Sequence, residues 1–246
     1  MRARPVASAI LRRSAKHRTI SHITHVTGPS RNNLTRPTGM DAIAFMLNFI
    51  LVISSYLVGS VSTAVIVSRL MGLPDPRREG SGNPGATNVL RVGGKKAAVI
   101  TLLGDVLKGV VPVLVSTAIS GNPVIVTLVA LAAFLGHLYP VFFGFKGGKG
   151  VATACGAVTA LSWPVGLALS ATWLLIALIF RLSSLSSMLS ALLAPLYAAW
   201  FGLPVASVVG IAAISTILLM RHRANISRLV AGEESRINLA SRSNSR

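Results

Sequence analysis

The chain has 246 residues, 52% of them apolar, with a mean hydropathy of +0.67, only 12% charged residues and a formal charge of +18. A soluble domain carries about 25% charged residues, so this composition excludes a water-soluble globular enzyme. It also excludes an ordinary nucleic-acid binder, which would be polar as well as basic. One cysteine, Cys155, leaves no intrachain disulfide and no cysteine metal site.

Residues 1–39 carry eight basic residues, no acid and no apolar run long enough for a signal-peptide core. The sequence suggests a start at Met40, with the upstream stretch a mis-assigned extension or a disordered tail; without it the formal charge falls to +10. Residues 42–68, 109–145, 150–180 and 182–220 contain no Asp, Glu, Lys or Arg. Two of these runs are too long for one crossing of about 20 residues. Turn residues divide them at Gly121-Asn122-Pro123, Ser162-Trp163-Pro164 and Gly202-Leu203-Pro204.

The predicted spans are 43–70, 97–120, 123–143, 150–162, 164–180, 187–201 and 204–220, the fourth short enough to be a half-helix. The expectation is an all-α integral membrane protein of seven transmembrane helices, some short or broken, with functional cytoplasmic loops. Residues 40–230 would form the membrane domain. The Ser/Arg/Asn-rich stretch 231–246 would be a disordered tail.

Loop charge orients these spans. The connections 69–96, 144–149, 181–186 and 221–246 are basic, whereas 121–123, 162–164 and 202–203 hold no basic residue. In a seven-span order the two kinds alternate, which puts the large loops and the C-terminus in the cytoplasm. A five-span order, with 150–180 and 187–220 each fused, would put Arg181 and the serines after it outside.

The first basic loop reads Gly80-Ser81-Gly82-Asn83-Pro84-Gly85-Ala86-Thr87-Asn88-Val89-Leu90-Arg91. Glycines let backbone N–H groups converge on an anion. Ser81, Asn83, Thr87 and Asn88 add neutral hydrogen-bonding groups, and Arg91 adds a fork suited to phosphate. An ordinary Gly/Pro/Asn turn would explain the glycines and prolines alone, but not the dense polar set beside Arg91.

Inside the second span, Asp105 and Lys108 at i, i+3 spacing are expected to pair as a buried structural couple. His137 ends the third span; an ionisable group at membrane depth is a functional candidate even where a lone histidine is more often structural.

Beyond it, Gly147-Gly148-Lys149-Gly150 opens an apolar helix, joining N–H groups, a positive helix end and a cation at one point. It is not a P-loop, because Gly150 stands where Ser or Thr is required. Lys146 reads as a charge anchor and Lys149 as a ligand contact. Ser183, Ser184, Ser186 and Ser187 could cap a helix or finish a phosphate cup. Finally, His222 and Asn225 share a helical face, while the arginines around them could be simple charge anchors.

In this order the segments resemble the acyl-phosphate:glycerol-3-phosphate acyltransferase family of bacterial membranes. Ser81–Asn88 is similar to its first motif, Gly136–Thr153 to its second, and His222-Arg223-x-Asn225-Ile226 with Gly232-Glu233-Glu234 to its third. The match covers about residues 42–234, and the N-terminal extension matches nothing in the family.

The resemblance implies a seven-helix fold in the bacterial inner membrane and acyl transfer from acyl phosphate to the 1-hydroxyl of glycerol 3-phosphate. The products would be lysophosphatidic acid and phosphate, made without metal or cofactor. It implies catalytic roles for Ser81, Lys149, His222 and Asn225. Substrate binding would fall to Gly82, Asn83, Thr87, Asn88, Arg91, His137, Gly147, Gly148, Gly150, Ser184 and Ser187, with Ser184 able to serve in place of Ser187.

The implied partners are the two substrates, the bilayer and other phospholipid-synthesis enzymes, not nucleic acid. The expected proton acceptor is a phosphate oxygen of the substrate, since no carboxylate adjoins either histidine in the motifs. The acyltransferase pattern of His followed five residues later by Asp is absent, Phe142 standing there. A transporter of an organic phosphate is the competing class, disfavoured because the polar residues gather on one face rather than at the midplane. A non-catalytic membrane scaffold would leave the recurrence of phosphate-suited groups in four loops unexplained.

Overall fold

The computed structural model describes residues 39–237, so residues 1–38, and with them the expected N-terminal extension, lie outside the described residues. Among those described there are only helices and their connections: α1 (Gly39–Gly59), α2 (Thr63–Leu70), α3 (Ala86–Ile119), α4 (Pro123–Leu138), α5 (Val151–Leu161), α6 (Trp163–Phe180), α7 (Ser183–Trp200), α8 (Val205–Arg221) and α9 (Arg223–Val230). A 3-10 turn, Val141–Phe143, follows α4.

Large apolar side chains lie open along these helices, among them Phe45, Phe49, Leu103, Leu114, Leu178 and Val209. A soluble protein does not expose apolar surface so continuously, and lipid is the solvent that suits it. The chain is an all-α integral membrane protein. Four stretches are long and apolar enough to cross by themselves: α1, α3, Pro123–Phe143 and α6; α8 with α9, bent by 56°, adds a fifth only if the pair is counted as one span. Helix α5 has 11 residues, and α7 spends much of its first turns on serines.

Several boundaries differ from expectation for identifiable reasons. The span expected at 43–70 is broken at Ser60–Ser62 into α1 and α2. A break in lipid frees carbonyls that must be met internally, and Lys108 Nζ donates to the Val61 carbonyl at 2.8 Å. The expected pairing of Lys108 with Asp105 is present at 2.9 Å, with both side chains buried.

Helix α3 starts at Ala86, not near 97, and would be about 50 Å long if straight, at 1.5 Å per residue. It kinks at Gly94, whose φ of 80° departs from the helix, so the turns bearing Asn88 and Arg91 are set apart from the crossing part. Helix α7 begins at Ser183, making the serine run its first turns rather than a loop.

Small residues set the tightest contacts, as is usual between helices in membranes. Gly59 of α1 lies on the Ala133 carbonyl of α4, and Gly136 of α4 lies on the Tyr56 carbonyl of α1; a Cβ at either would collide with that oxygen. Gly109 of α3 and Gly156 of α5 form a second reciprocal pair, against the Thr153 and Val106 carbonyls. These contacts fix α1 to α4 and α3 to α5. The buried side chains of Phe134, Leu138, Ala154, Ala191, Ile214 and Leu218 then join α4, α5, α7 and α8 beneath the polar end.

Candidate active site

Hydrogen bonds tie the four basic segments and the stretch after α9 to one end of the bundle. Thr87 Oγ1 and Ser183 Oγ lie 3.2 Å apart, joining the first segment to the third. Lys149 Nζ donates to Asn225 Oδ1, joining the second to the fourth. Arg221 Nη2 donates to the Gly148 carbonyl at 3.2 Å and the Gly147 carbonyl at 3.5 Å. The N-termini of α3, α5 and α7 open on this end, so three positive helix ends face the same space.

That space is a cavity of about 840 Å³, within the usual range for small-molecule sites. Ser81, Asn83, Arg91, Lys149, His222 and Asn225 line its mouth, and Val158, Leu169, Ala194 and Ile211 line its interior. Leu102 and Leu103 of α3 border it too and are well exposed, which leaves a side of the cavity next to lipid.

At the mouth sits a carboxylate to which the sequence reading gave no role. Glu234 Oε1 accepts from Ser184 Oγ at 2.8 Å and Asn225 Nδ2 at 2.7 Å, and Arg228 Nε donates to Oε2 at 2.8 Å. Arg91 Nη2 reaches the Ser235 carbonyl at 3.5 Å, and Ile237 N donates to the Arg181 carbonyl at 2.7 Å. Residues 231–237, expected to begin a disordered tail, therefore cross the site; the tail beyond 237 lies outside the described residues. The available signal was its place in the Gly232-Glu233-Glu234 end of the third motif, in a chain with only six acids.

Burial works against the Glu234 charge, but the three donors and the Arg228 guanidinium outweigh it and hold the carboxyl below its ordinary value. Burial likewise pushes the Lys149 ammonium down, to about 8; the Glu234 charge opposes this shift, and Arg228, Arg91 and Arg221 reinforce it.

The expected site residues divide by what their atoms do. Ser81, Asn83, Thr87, Arg91, Lys149, Gly150, Ser184, Ser187, His222 and Asn225 all border the cavity. Ser187 has its hydroxyl committed to the Ser183 carbonyl at 2.8 Å and to the Trp173 indole N–H at 3.1 Å, which leaves Ser184 as the serine wired to the charged cluster. His222 is 2% exposed, and its Nδ1 donates to the Leu218 carbonyl at 2.8 Å, directing Nε2 to act as the acceptor of the neutral ring.

Four residues read as substrate contacts are occupied otherwise. Gly82 closes a turn on Glu79 and does not line the cavity. Gly147 and Gly148 lie behind Lys149, and the Gly148 N–H donates to the His137 carbonyl at 3.2 Å instead of standing free. Asn88 does border the cavity, but its amide is spent on the loop before it.

His137 borders the cavity but is mostly buried, its Nε2 packed beneath Gly148. The motifs hold no carboxylate beside either histidine, but Asp105, outside them, places Oδ1 3.6 Å from His137 Nδ1. The two lie on different helices, α3 and α4, a proximity that no local motif reveals.

The fold and the site define a membrane-embedded protein with a cation-lined mouth at one end of a helical bundle and apolar space below it. Residues 49–232 match the family model described as glycerol-3-phosphate acyltransferase, and the chain belongs to that family. It is 54% identical over 192 residues to the glycerol-3-phosphate acyltransferase of Methylococcus capsulatus, covering 78% of this chain and 96% of that one. To that of Thioalkalivibrio sulfidiphilus it is 58% identical over 193 residues, with 76% and 92% covered.

Two crystal structures of PlsY (YgiH), an integral membrane glycerol 3-phosphate acyltransferase, share the fold. The glycerol 3-phosphate form gives a TM-score of 0.76 at 44% identity, covering 78% of this chain and 96% of that one. The lysophosphatidic acid form gives 0.73 at 43% identity, with 77% and 95% covered.

Proposed function

We propose that this protein transfers a fatty acyl group from acyl phosphate to the 1-hydroxyl of glycerol 3-phosphate, releasing lysophosphatidic acid and inorganic phosphate. The observation that carries this reading is the meeting of Arg91, Lys149 and Arg228 around one cavity whose walls turn apolar below them. Two phosphorylated reactants repel one another, and cations in a water-poor mouth offset that repulsion far better than cations in bulk water. Family membership supports the same acceptor.

Acyl phosphate is a mixed anhydride, so no acyl-enzyme is needed. The glycerol hydroxyl oxygen bonds to the carbonyl carbon, the carbon–oxygen bond to phosphate breaks, and phosphate leaves with the electron pair. Alignment of the two reactants makes the attack effectively intramolecular. The hydroxyl proton passes to a phosphate oxygen of the substrate, an acceptor that the reactants themselves carry to the reacting hydroxyl; His222, whose Nδ1–H is tied to the Leu218 carbonyl so that Nε2 accepts, is the competing base. A pH–rate profile with a single acidic limb near the histidine range, abolished in His222→Gln with binding retained, would instead make His222 the base.

The proposal places the basic segments and the mouth in the cytoplasm, with seven crossings of the bacterial inner membrane, following loop charge. Incubation of the purified protein with acyl phosphate and labelled glycerol 3-phosphate should give labelled lysophosphatidic acid, at a rate lowered at least about 100-fold in Lys149→Ala. Uptake of an organic phosphate into proteoliposomes without product would make it a transporter.

A further inference from the structure

Asn88 stands in the first turn of α3, inside a segment rich in phosphate-suited groups, and its residue type suggests a direct ligand. Its amide is otherwise engaged. Oδ1 accepts the Ser81 backbone N–H at 2.9 Å, while Nδ2 donates to the Pro76 carbonyl at 2.9 Å and to the Glu79 carbonyl at 3.0 Å. Both amide hydrogens are used and the oxygen is occupied, and the residue is 1% exposed. A primary amide has two donors and one carbonyl acceptor, so little remains for a substrate.

The three partners belong to one loop. Its tip turns at Glu79–Gly82, where Gly82 N donates to the same Glu79 carbonyl at 3.0 Å. Gly80 and Gly82 both have positive φ, +60° and +68°, and Ser81 sits between them. A Cβ on Gly80 would collide with Asn88 Oδ1, so the loop closes on the amide only because residue 80 has no side chain. The Ser81 hydroxyl makes no hydrogen bond among the described residues, and Ser81 borders the cavity.

The neighbours of Asn88 serve other ends. Thr87 meets Ser183 of α7, and Arg91, one turn on, borders the mouth. One helical turn therefore fixes the loop with one residue, a neighbouring helix with the next, and presents a cation with a third.

We infer that Asn88 is a positioning residue: its buried amide clamps residues 76–81 and thereby sets Ser81 at the mouth, without touching substrate. Two independent features meet in this clamp, the full use of the amide and the glycine that makes room for it. Where activity is the readout, the inference rests on the acyl transfer proposed above.

The experiment uses the full chain in detergent, in two measurements. The first needs no substrate: hydrogen–deuterium exchange over residues 76–84 in wild type, Asn88→Asp and Gly80→Ala. The aspartate substitution keeps the shape and the acceptor but removes both donors, and the alanine substitution presses on the amide from the other side. Both variants should speed exchange of this loop at least about 10-fold, leaving the crossing part of α3 unchanged. Unchanged exchange in both overturns the clamp, whatever the protein's activity.

The second measurement is a double-mutant cycle on acyl transfer. Asn88→Asp alone should lower kcat/KM about 10- to 100-fold. In a Ser81→Ala background the same change should cost less than about 3-fold, because residues acting through one group are not additive. Full additivity would mean that Asn88 works by some route other than Ser81, and would overturn the inference. A wild type that makes no lysophosphatidic acid defeats the proposed function instead, and the exchange measurement still decides the clamp.

Discussion

Lys149 gives up its proton more readily than an exposed lysine, because burial costs its charge more than Glu234 restores. The ammonium is present below about pH 8 and lost above it. If that charge holds phosphate, kcat/KM should fall as pH rises through this point, while at neutral pH the group stays charged. Lys149→Arg should carry the falling limb beyond the measurable range, since a guanidinium does not deprotonate there. A limb unmoved by the arginine would belong to another group. Lys149 itself was legible from its place between glycines at a helix start. Glu234 was visible as part of the third motif but its role was not, because its partners lie 6, 9 and 50 positions away and come together only in the folded chain. Asn88 was legible as a member of the site, but a residue's type does not reveal that its amide hydrogen bonds are already spent on its own loop.

At the scale of helices, punctuation decided what the sequence could tell. Trp163-Pro164 and Pro204 start α6 and α8 within a residue of expectation, because proline suits a first turn and the charged ends bound the rest. Ser60-Val61-Ser62 carries no comparable signal, and the break between α1 and α2 is stabilised by a lysine 47 positions on. Gly93-Gly94 looked like loop, yet only Gly94 leaves helical angles. The Asp105–Lys108 pair therefore does two things, neutralising itself and closing the break. Lys108→Met should destabilise the protein by about 3–5 kcal/mol, since it strands a buried carboxylate and an unmet carbonyl. Adding Asp105→Asn should recover part of that loss, as read by thermal unfolding in detergent. Equal melting of the single variant and wild type would refute the double role.

For the molecule as a whole, loop charge alone marked which connections meet, and the structure does gather those segments at one end. Cavity depth was beyond the sequence, because it depends on how far α5, α7 and α8 stand apart below the mouth. Ala194 lies eleven residues along α7 from Ser183, about 16 Å at the helical rise. It borders the cavity with Val158 and Ile211. If the acyl chain descends there, Ala194→Phe should turn over long-chain acyl phosphates less well than short ones, with KM for glycerol 3-phosphate unchanged. Competition between two chain lengths measures this directly, and an equal loss for both would send the chain out between helices instead.

Glu234 follows every described helix in chain order. During synthesis, α1 through α9 are therefore made before the acid that orients Asn225 exists. A chain synthesised just through α9 already holds Arg91, Lys149 and Arg228, yet lacks the carboxylate that Asn225 and Arg228 bind.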